Sequence, residues 1–222
     1  MTSPSPSRPL APRVAVDAIL FDLLTALLDS WTLWNVAAGN AADGRRWRQQ
    51  YLEITYAAGA YRPYDALVTE SASAAGLAPE VARVLLDRWD QMEAWPEVGS
   101  VLGCLGASVR LGVVTNCSNA LAERAVRRLG CTVDVVVAAE RAGAYKPDPR
   151  PYRLAIAELG LPPSRVLFVA GSPYDIPGAG GVGMPVVWHN RLRLTRPVGI
   201  DEPLAEISTL EQLPLLVRLG DA

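Results

Sequence analysis

The hydrophobic residues of the chain form short, separate runs, with patterns of helical periodicity between them. The runs are rich in valine and four to eight residues long, as is typical of buried parallel strands. They lie at residues 14–21, 109–115, 133–138, 166–170 and 185–188. Apolar residues recur at helical spacing over residues 121–129 and 152–159. This alternation predicts an α/β fold with a Rossmann-like parallel sheet core, covered by helices on both faces.

Residues 30–97 break the alternation. The segment is rich in Trp, Tyr, Arg and Ala, and helical patterns such as residues 79–95 fill most of it. A helical insertion after the first strand lies over the carboxyl ends of the strands, where open α/β sheets bind ligands. We therefore predict an inserted helical cap, or lid, at residues 30–97 and a core formed by residues 14–29 and 98–222. The Ser- and Pro-rich residues 1–13 are predicted to be a flexible tail.

Composition narrows the possible functions. The formal net charge is −2 and no Lys/Arg run suggests a nucleic-acid or anionic-lipid surface. No apolar stretch reaches the roughly 18 residues that cross a bilayer. The opening residues lack a secretory signal pattern and the three cysteines are scattered, so a cytoplasmic protein is expected. Among 21 basic residues Lys146 is the only lysine, which hints at a site that needs a compact ammonium group.

Polar residues follow four of the predicted strands. Asp22 comes after the first strand, Thr115 and Asn116 end the second, Lys146 lies in the loop after the third, and Asp175 follows the fourth. Any one of them alone is most simply a turn or cap residue. Because the carboxyl ends of parallel strands meet at one edge of the sheet, their common placement predicts a shared active site.

The stretches around these residues resemble the four motifs of the haloacid dehalogenase superfamily. Residues 21–27 are similar to the first motif, whose Asp is a nucleophile, and residues 114–116 to the second. Residues 146–149 resemble the third motif and residues 169–175 the fourth. The resemblance covers residues 14–195, including the lid. It implies a hydrolase in which Asp22 forms a covalent intermediate.

Two departures distinguish the chain from the phosphatases of that superfamily. Those enzymes hold Mg²⁺ with the nucleophile, a second Asp two residues later, and an acidic pair in the fourth motif. Here Leu24 stands at the second position, and Gly171 and Ser172 precede Asp175. Because Mg²⁺ needs several oxygen ligands, we expect neither a metal nor another cofactor, and a phosphatase is disfavoured.

The chain is closer to the L-2-haloacid dehalogenases, which need no metal. Trp47, Arg48 and Gln49 match a Trp-Arg-Gln sequence of their lid, whose Arg binds the leaving halide. Tyr152 follows Lys146 by six residues, as a Tyr does in those enzymes. The resemblance therefore implies a pocket between lid and core that binds a small carboxylic acid.

The resemblance also suggests how the substrate is held and where the chain differs. Thr115 and Asn116 match a hydroxyl and an amide that bind the substrate carboxylate at a helix N-terminus, where an anion is favoured. The dehalogenases have Ser-Ser-Asn at residues 170–172 and Tyr at Leu24, so three polar groups are missing or shortened here. Residues 21–35 resemble the L-azetidine-2-carboxylate hydrolases of the same branch, which open a cyclic amine by displacement at C2.

The implied mechanism is attack of Asp22 on C2, followed by hydrolysis of the ester by water. Lys146 would keep Asp22 ionised, and Asp175 would orient Lys146 and the water. The favoured reaction is opening of L-azetidine-2-carboxylate to 4-amino-2-hydroxybutyrate. The alternatives are an L-2-haloacid dehalogenase giving 2-hydroxy acids, a phosphatase, and an inactive binding protein. The three retained charged residues argue against inactivity. The resemblance also implies a homodimer.

The candidate site residues form two groups. The catalytic group is Asp22, Thr25, Lys146 and Asp175. The substrate-binding group is Leu24, Trp31, Trp34, Arg48, Gln49, Thr115, Asn116, Tyr152, Ser172 and Tyr174. Trp31 and Trp34 are included because they follow the nucleophile loop.

Overall fold

The computed structural model describes residues 13–219. Within this range, six parallel strands form the central sheet in the order β4-β3-β2-β5-β6-β7. The strands are β2 Ala18–Phe21, β3 Arg110–Thr115, β4 Val135–Ala138, β5 Val166–Ala170, β6 Val186–His189 and β7 Ala205–Ile207. The predicted α/β fold is confirmed. The predicted tail, residues 1–13, lies outside the described residues except for Arg13.

The sheet differs from the prediction at its first and last strands. The first apolar run is divided at Asp17, whose carboxylate accepts a hydrogen bond from Arg165 Nε (2.8 Å). The part before Asp17, β1 Val14–Val16, pairs in parallel with β8 Val217–Leu219 in a separate two-stranded sheet. The sequence did not predict β7, because only one of its three side chains is buried and no apolar run marks it.

Helices cover both faces of the sheet. Side chains of β2 alternate between the faces: Ile19 and Phe21 contact one hydrophobic cluster, and Ala18 and Leu20 the other. The first cluster includes α5 and α6, and the second includes α8 and α9. The core helices are α5 Val98–Gly106, α6 Asn119–Val126, α7 Ala139–Ala142, α8 Pro149–Leu159 and α9 Asp175–Gly180.

Local chemistry sets the ends of these helices. The Ser118 hydroxyl accepts a hydrogen bond from the backbone of Leu121 and caps α6. The Asp148 carboxylate does the same for α8, whose first residue is a proline. Gly160 then ends α8 with a left-handed φ of 61°, as its position in the sequence predicts.

Four helices between β2 and α5 pack around an aromatic cluster above the sheet. They are α1 Ser30–Ala37, α2 Ala41–Ala57, α3 Tyr64–Ala74 and α4 Glu80–Asp87. The ring centroids of Trp34 and Trp47 are 4.5 Å apart, and those of Tyr64 and Trp89 are 5.7 Å apart. The Tyr51 hydroxyl donates to the backbone carbonyl of Asn116 (2.9 Å), which joins this helical layer to the end of β3. Over residues 13–219, no helix is long and apolar enough to cross a membrane.

Candidate active site

Asp22 directly follows β2 and caps the start of a π-helical turn, Leu23–Leu27. All five residues of the turn are buried, so its backbone N–H groups need partners within the protein. Oδ2 of Asp22 accepts hydrogen bonds from the backbone N–H groups of Thr25 (2.8 Å) and Ala26 (3.2 Å). It also accepts one from the Thr25 hydroxyl (2.5 Å). The turn therefore fixes both the position and the rotation of the carboxylate.

Lys146 connects two buried carboxylates. Its Nζ lies 2.8 Å from Oδ1 of Asp22 and 3.0 Å from Oδ1 of Asp175. The loop that carries Lys146 is fixed by the Asn116 amide, which donates to the Lys146 carbonyl (3.0 Å) and accepts from its N–H (2.7 Å). The ends of β2, β3, β4 and β5 thus bring the predicted charged residues into contact.

Asp175 is held from two sides. Its Oδ1 accepts a hydrogen bond from the Tyr152 hydroxyl (2.9 Å) and forms an ion pair with Lys146. Tyr152 lies on α8 and is fully buried, and Asp175 is the first residue of α9. Among residues 13–219, no side chain or backbone group donates to its Oδ2. This second oxygen is therefore free to accept a proton or to bind water.

Burial and mutual charge have opposite effects on the pKa values of Asp22, Lys146 and Asp175, the charged triad of the site. Burial raises the pKa of Asp22, but the Lys146 ammonium and the Thr25 hydrogen bonds outweigh it, so this pKa lies below its ordinary value. Burial lowers the pKa of Lys146, yet the charges of Asp175 and Asp22 bring it above its ordinary value. For Asp175, burial raises the pKa, Lys146 opposes this, and the charge of Asp22 adds to the rise, leaving the pKa elevated. Asp22 is therefore an ionised carboxylate beside an ammonium group. Asp175 has the higher pKa of the two carboxyl groups, so its carboxylate is the stronger base.

A cavity of about 210 Å³ lies beside the Asp22 turn. Thr25 and Gly171 form part of its wall near Asp22, while Trp31, Arg48 and Leu52 line it from the helical layer. The volume is below the roughly 300–1,000 Å³ of pockets for drug-sized ligands, so it suits a molecule of a few carbon atoms.

Arg48 brings a buried positive charge to this cavity. Its Nη1 donates to the Ser30 hydroxyl (2.9 Å), and its guanidinium carbon lies 4.2 Å from the ring centroid of Trp31. Within the described part of the chain, its buried Nε has no hydrogen-bond partner. A buried cation with a free donor is stabilised by an anion, so the arrangement is suited to a carboxylate or a halide.

Three of the predicted substrate-binding residues besides Arg48 line the cavity. They are Trp31, Ser172 and Tyr174. The Ser172 hydroxyl lies 3.3 Å from the hydroxyl of Tyr56, whose ring centroid is 4.7 Å from that of Tyr174. These hydroxyl groups give one side of the cavity a polar character.

Gln49, Trp34 and Leu24 are not among the described residues that line this cavity, so their contact with substrate stays a prediction. Gln49 is exposed and donates to Glu53 (3.1 Å), because neighbouring residues on a helix point about 100° apart and Arg48 takes the inward position. Trp34 is 2% exposed and packs against Trp47 and Tyr51 in the aromatic cluster. Leu24 packs in the hydrophobic core of the fold.

The second-motif residues and Tyr152 contact other residues of the protein in this structure. Thr115 is fully buried, with its hydroxyl 3.8 Å from Cys117 Sγ. The Asn116 amide makes both of its hydrogen bonds to the backbone of Lys146, and the Tyr152 hydroxyl donates to Asp175. In this structure Asn116 and Tyr152 position Asp22, Lys146 and Asp175 through these hydrogen bonds. Contact of Thr115, Asn116 and Tyr152 with a substrate stays a prediction.

The sequence prediction missed several cavity residues. Leu52 lines the cavity and Tyr56 contacts Ser172; they follow Arg48 by four and eight residues on α2. That spacing places them on the same helix face as Arg48 and could have identified them. Leu194, Thr195 and Pro197 line the cavity from an irregular segment after β6, where no periodic pattern indicates a role.

Comparison with known proteins agrees with this geometry. The model of one family, the haloacid dehalogenase-like hydrolases, matches residues 16–183. The chain belongs to this family. It is 31% identical over 222 residues to (S)-2-haloacid dehalogenase 1 of Pseudomonas sp. (strain CBS-3), covering 92% of this chain and 98% of that protein. It is 28% identical over 193 residues to (S)-2-haloacid dehalogenase H-109 of Pseudomonas putida, covering 79% of this chain and 86% of that protein.

A solved structure shows the shared fold. It is L-2-haloacid dehalogenase from Xanthobacter autotrophicus with chloropropionic acid covalently bound. The similarity has a TM-score of 0.81 and 20% identity, over 90% of this chain and 98% of that chain. The protein is thus a haloacid dehalogenase-like hydrolase of the L-2-haloacid dehalogenase-like branch, and the predicted family and enzyme class are confirmed.

Proposed function

We propose that this hydrolase removes halide from small 2-haloacids and releases 2-hydroxy acids through an ester on Asp22. The observation that carries the proposal is the Lys146 ammonium bridging Asp22 and Asp175 beside a small cavity that also receives Arg48. The names of the curated relatives support the same substrate class.

Oδ1 of Asp22 is the attacking oxygen in this proposal. Oδ2 already accepts three hydrogen bonds, whereas Oδ1 accepts one, from Lys146, and keeps a lone pair free. Attack of Oδ1 on C2 forms the C–O bond of an ester while the carbon–halogen bond breaks and the halide leaves with its electron pair. Lys146 keeps the carboxylate ionised until it reacts.

Water then hydrolyses the ester, with Asp175 as the base. The free Oδ2 of Asp175 accepts a proton from the water as the water oxygen bonds to Cγ of Asp22. The raised pKa of Asp175 makes it a stronger base than an ordinary aspartate. When the Cγ–Oδ1 bond breaks, that proton passes to the departing alkoxide and the 2-hydroxy acid is released. Its hydroxyl oxygen comes from Asp22, and the enzyme keeps the oxygen of water.

The residues at this site do not fit the Mg²⁺ of the related phosphatases. The Lys146 ammonium lies between the two carboxylates, where it offsets one of their two negative charges and occupies the space between them. Leu24 and Gly171 carry no oxygen in their side chains, and Mg²⁺ needs several oxygen ligands. The proposed displacement therefore uses only side chains of the protein and needs no Mg²⁺.

Charge in the cavity favours a halide as the leaving group. A halide leaves as an anion and is stabilised by the buried Arg48 guanidinium, whose Nε is free among the described residues. A protonated azetidine ring would instead bring a second positive charge toward Arg48. At close range in a buried site, such like-charge contact is unfavourable.

Opening of L-azetidine-2-carboxylate is the second candidate. It is favoured by the Tyr56 and Ser172 hydroxyls, 3.3 Å apart on the polar side of the cavity, since a leaving amine needs a proton donor. Burial raises the pKa of Tyr56, so the phenol remains protonated as a donor. The product of the same displacement would be 4-amino-2-hydroxybutyrate.

Direct competition tests the proposal. Purified protein is given L-2-chloropropionate and L-azetidine-2-carboxylate, separately and together, with and without EDTA, following chloride and 4-amino-2-hydroxybutyrate. We expect chloride release that EDTA does not reduce. Ring opening without chloride release would reverse the order of the two candidates. Activity on neither acid contradicts displacement at C2, and a loss on chelation that Mg²⁺ restores contradicts the metal-free mechanism.

Arg48→Ala is expected to lower kcat/KM for L-2-chloropropionate about 100-fold or more, because it removes the cation that faces the leaving group. Arg45→Ala on the same helix is the matched control, since Arg45 is exposed, and it should behave like wild type. Steady-state chloride release measures both. An Arg48→Ala enzyme as active as the control would show that Arg48 does not bind the leaving group.

A further inference from the structure

We infer that Thr25 and Gly171 act as a pair in the second half of the reaction. The Thr25 hydroxyl stabilises the oxyanion that forms when water attacks the Asp22 ester, and the missing side chain of Gly171 leaves room for that hydroxyl. The inference rests on the proposed function, because it concerns hydrolysis of the same ester.

The hydrogen bonds of Asp22 determine where the negative charge develops. With Oδ1 joined to the substrate, Oδ2 becomes the carbonyl oxygen of the ester. Attack of water on Cγ turns the carbonyl double bond into a C–O⁻ bond, so the charge resides on Oδ2. Two backbone N–H groups and the Thr25 hydroxyl already converge on this atom at 2.5–3.2 Å. That arrangement is an oxyanion hole built before the charge appears.

Gly171 is required by the space around this hydroxyl. A Cβ at residue 171 would lie 2.7 Å from Asp22 Oδ2, 2.5 Å from the nitrogen of Ala26, and closer still to the Thr25 hydroxyl oxygen. Real Cβ atoms essentially never come this close to a neighbour. Gly171 has no left-handed φ, so backbone conformation gives no reason for glycine here. The reason is the close approach of the whole Asp22 turn, in which the Thr25 hydroxyl, the Ala26 nitrogen and Asp22 Oδ2 all lie against residue 171.

The two half-reactions respond differently to loss of the hydroxyl. In the first, Asp22 loses its negative charge as the ester forms, so a donor on Oδ2 stabilises the starting carboxylate and gives no advantage to attack. In the second, charge builds up on Oδ2 and the same donor becomes more strongly bound. Removing one such donor typically slows the step about 100- to 1,000-fold. Loss of the hydroxyl should therefore make the ester accumulate.

Rapid-quench kinetics with L-2-chloropropionate test the pair, with chloride and the ester on Asp22 measured in parallel, the latter by mass spectrometry. Thr25→Val keeps the shape of the side chain and removes the hydroxyl. We expect a burst of about one chloride per enzyme at no less than a tenth of the wild-type rate. Hydrolysis should then be about 100-fold slower, with most of the enzyme as ester. Thr25→Ser restores a hydroxyl and should hydrolyse the ester at least about tenfold faster than Thr25→Val.

Gly171→Ala gives a second test, because its Cβ presses on the Thr25 hydroxyl, the Ala26 nitrogen and Asp22 Oδ2 and so disturbs the oxyanion hole while Thr25 remains in the sequence. It should also accumulate ester, and the chloride burst itself shows that the variant is folded. A Thr25→Val enzyme that slows the burst and forms no excess ester overturns the inference but leaves the proposed function intact. Absence of any ester on wild-type Asp22 overturns the proposed function and the inference together.

Discussion

Asp22→Asn is expected to lower kcat/KM by about 10⁴-fold or more, because an amide oxygen is a poor nucleophile and cannot form the ester. The fold should persist, since asparagine keeps the shape and can still accept the hydrogen bonds from the Thr25 and Ala26 N–H groups. Circular dichroism checks the fold and chloride release checks the activity. Asp90→Asn, an exposed carboxylate paired with Arg124, is the matched control and should retain full activity.

Isotope labelling tests the same assignment without a mutation. In a single turnover with excess wild-type enzyme in H₂¹⁸O, the label should enter Asp22, because water attacks Cγ and the product takes its oxygen from the carboxylate. Mass spectrometry of the peptide that contains Asp22 measures the label. Label found directly in the 2-hydroxy acid would mean that water attacks C2, and the nucleophile assignment would be wrong.

Lys146→Met is expected to abolish turnover, by about 1,000-fold or more, and to destabilise the fold by about 3–5 kcal/mol. Without the ammonium, Asp22 and Asp175 are two buried carboxylates, 6% and 4% exposed, with no cation between them. Urea unfolding measures the stability. Arg62→Met is the matched control: it breaks a surface ion pair with Glu70, and such pairs contribute about 0–1 kcal/mol.

The stability deficit of Lys146→Met should depend on pH. In the wild-type protein, the pKa of Asp22 is lowered by folding, so its contribution to stability is present above the unfolded pKa and lost as pH falls. In the variant, burial and mutual repulsion disfavour the two charged carboxylates, so protonation at acid pH relieves their repulsion. The difference between the two proteins should be largest near neutral pH and shrink as pH falls. A deficit independent of pH would show that packing, not charge, causes the loss.

The positions of the charged triad could be predicted from sequence, because they follow from strand ends. Each residue lies after an apolar run, and parallel strands bring such ends to one edge of the sheet. The local pattern therefore indicated that Asp22, Lys146 and Asp175 would meet, and the distances of 2.8 and 3.0 Å show that they do.

The rest of the site depended on information that short patterns do not carry. Arg48 is buried and Gln49 is exposed because of the way α2 packs on its neighbours, and the Trp-Arg-Gln sequence at residues 47–49 does not specify that packing. The amide of Asn116 bonds to the backbone of Lys146, thirty residues away in the sequence, so no local signal shows these hydrogen bonds. The role of Gly171 is likewise a matter of steric distance to Thr25, 146 positions earlier.

The burial of Lys146 has a consequence for chemical labelling. It is the only lysine in the sequence and is 2% exposed, and its raised pKa keeps the side chain as an ammonium ion. Acylating reagents need an accessible, unprotonated amine, so in the folded protein they are directed to the α-amino group. Acylation at Lys146 then takes place only in molecules whose site has opened. The rate at which Lys146 becomes acylated therefore reports the population of opened molecules when closing is faster than acylation, with no background from other side-chain amines.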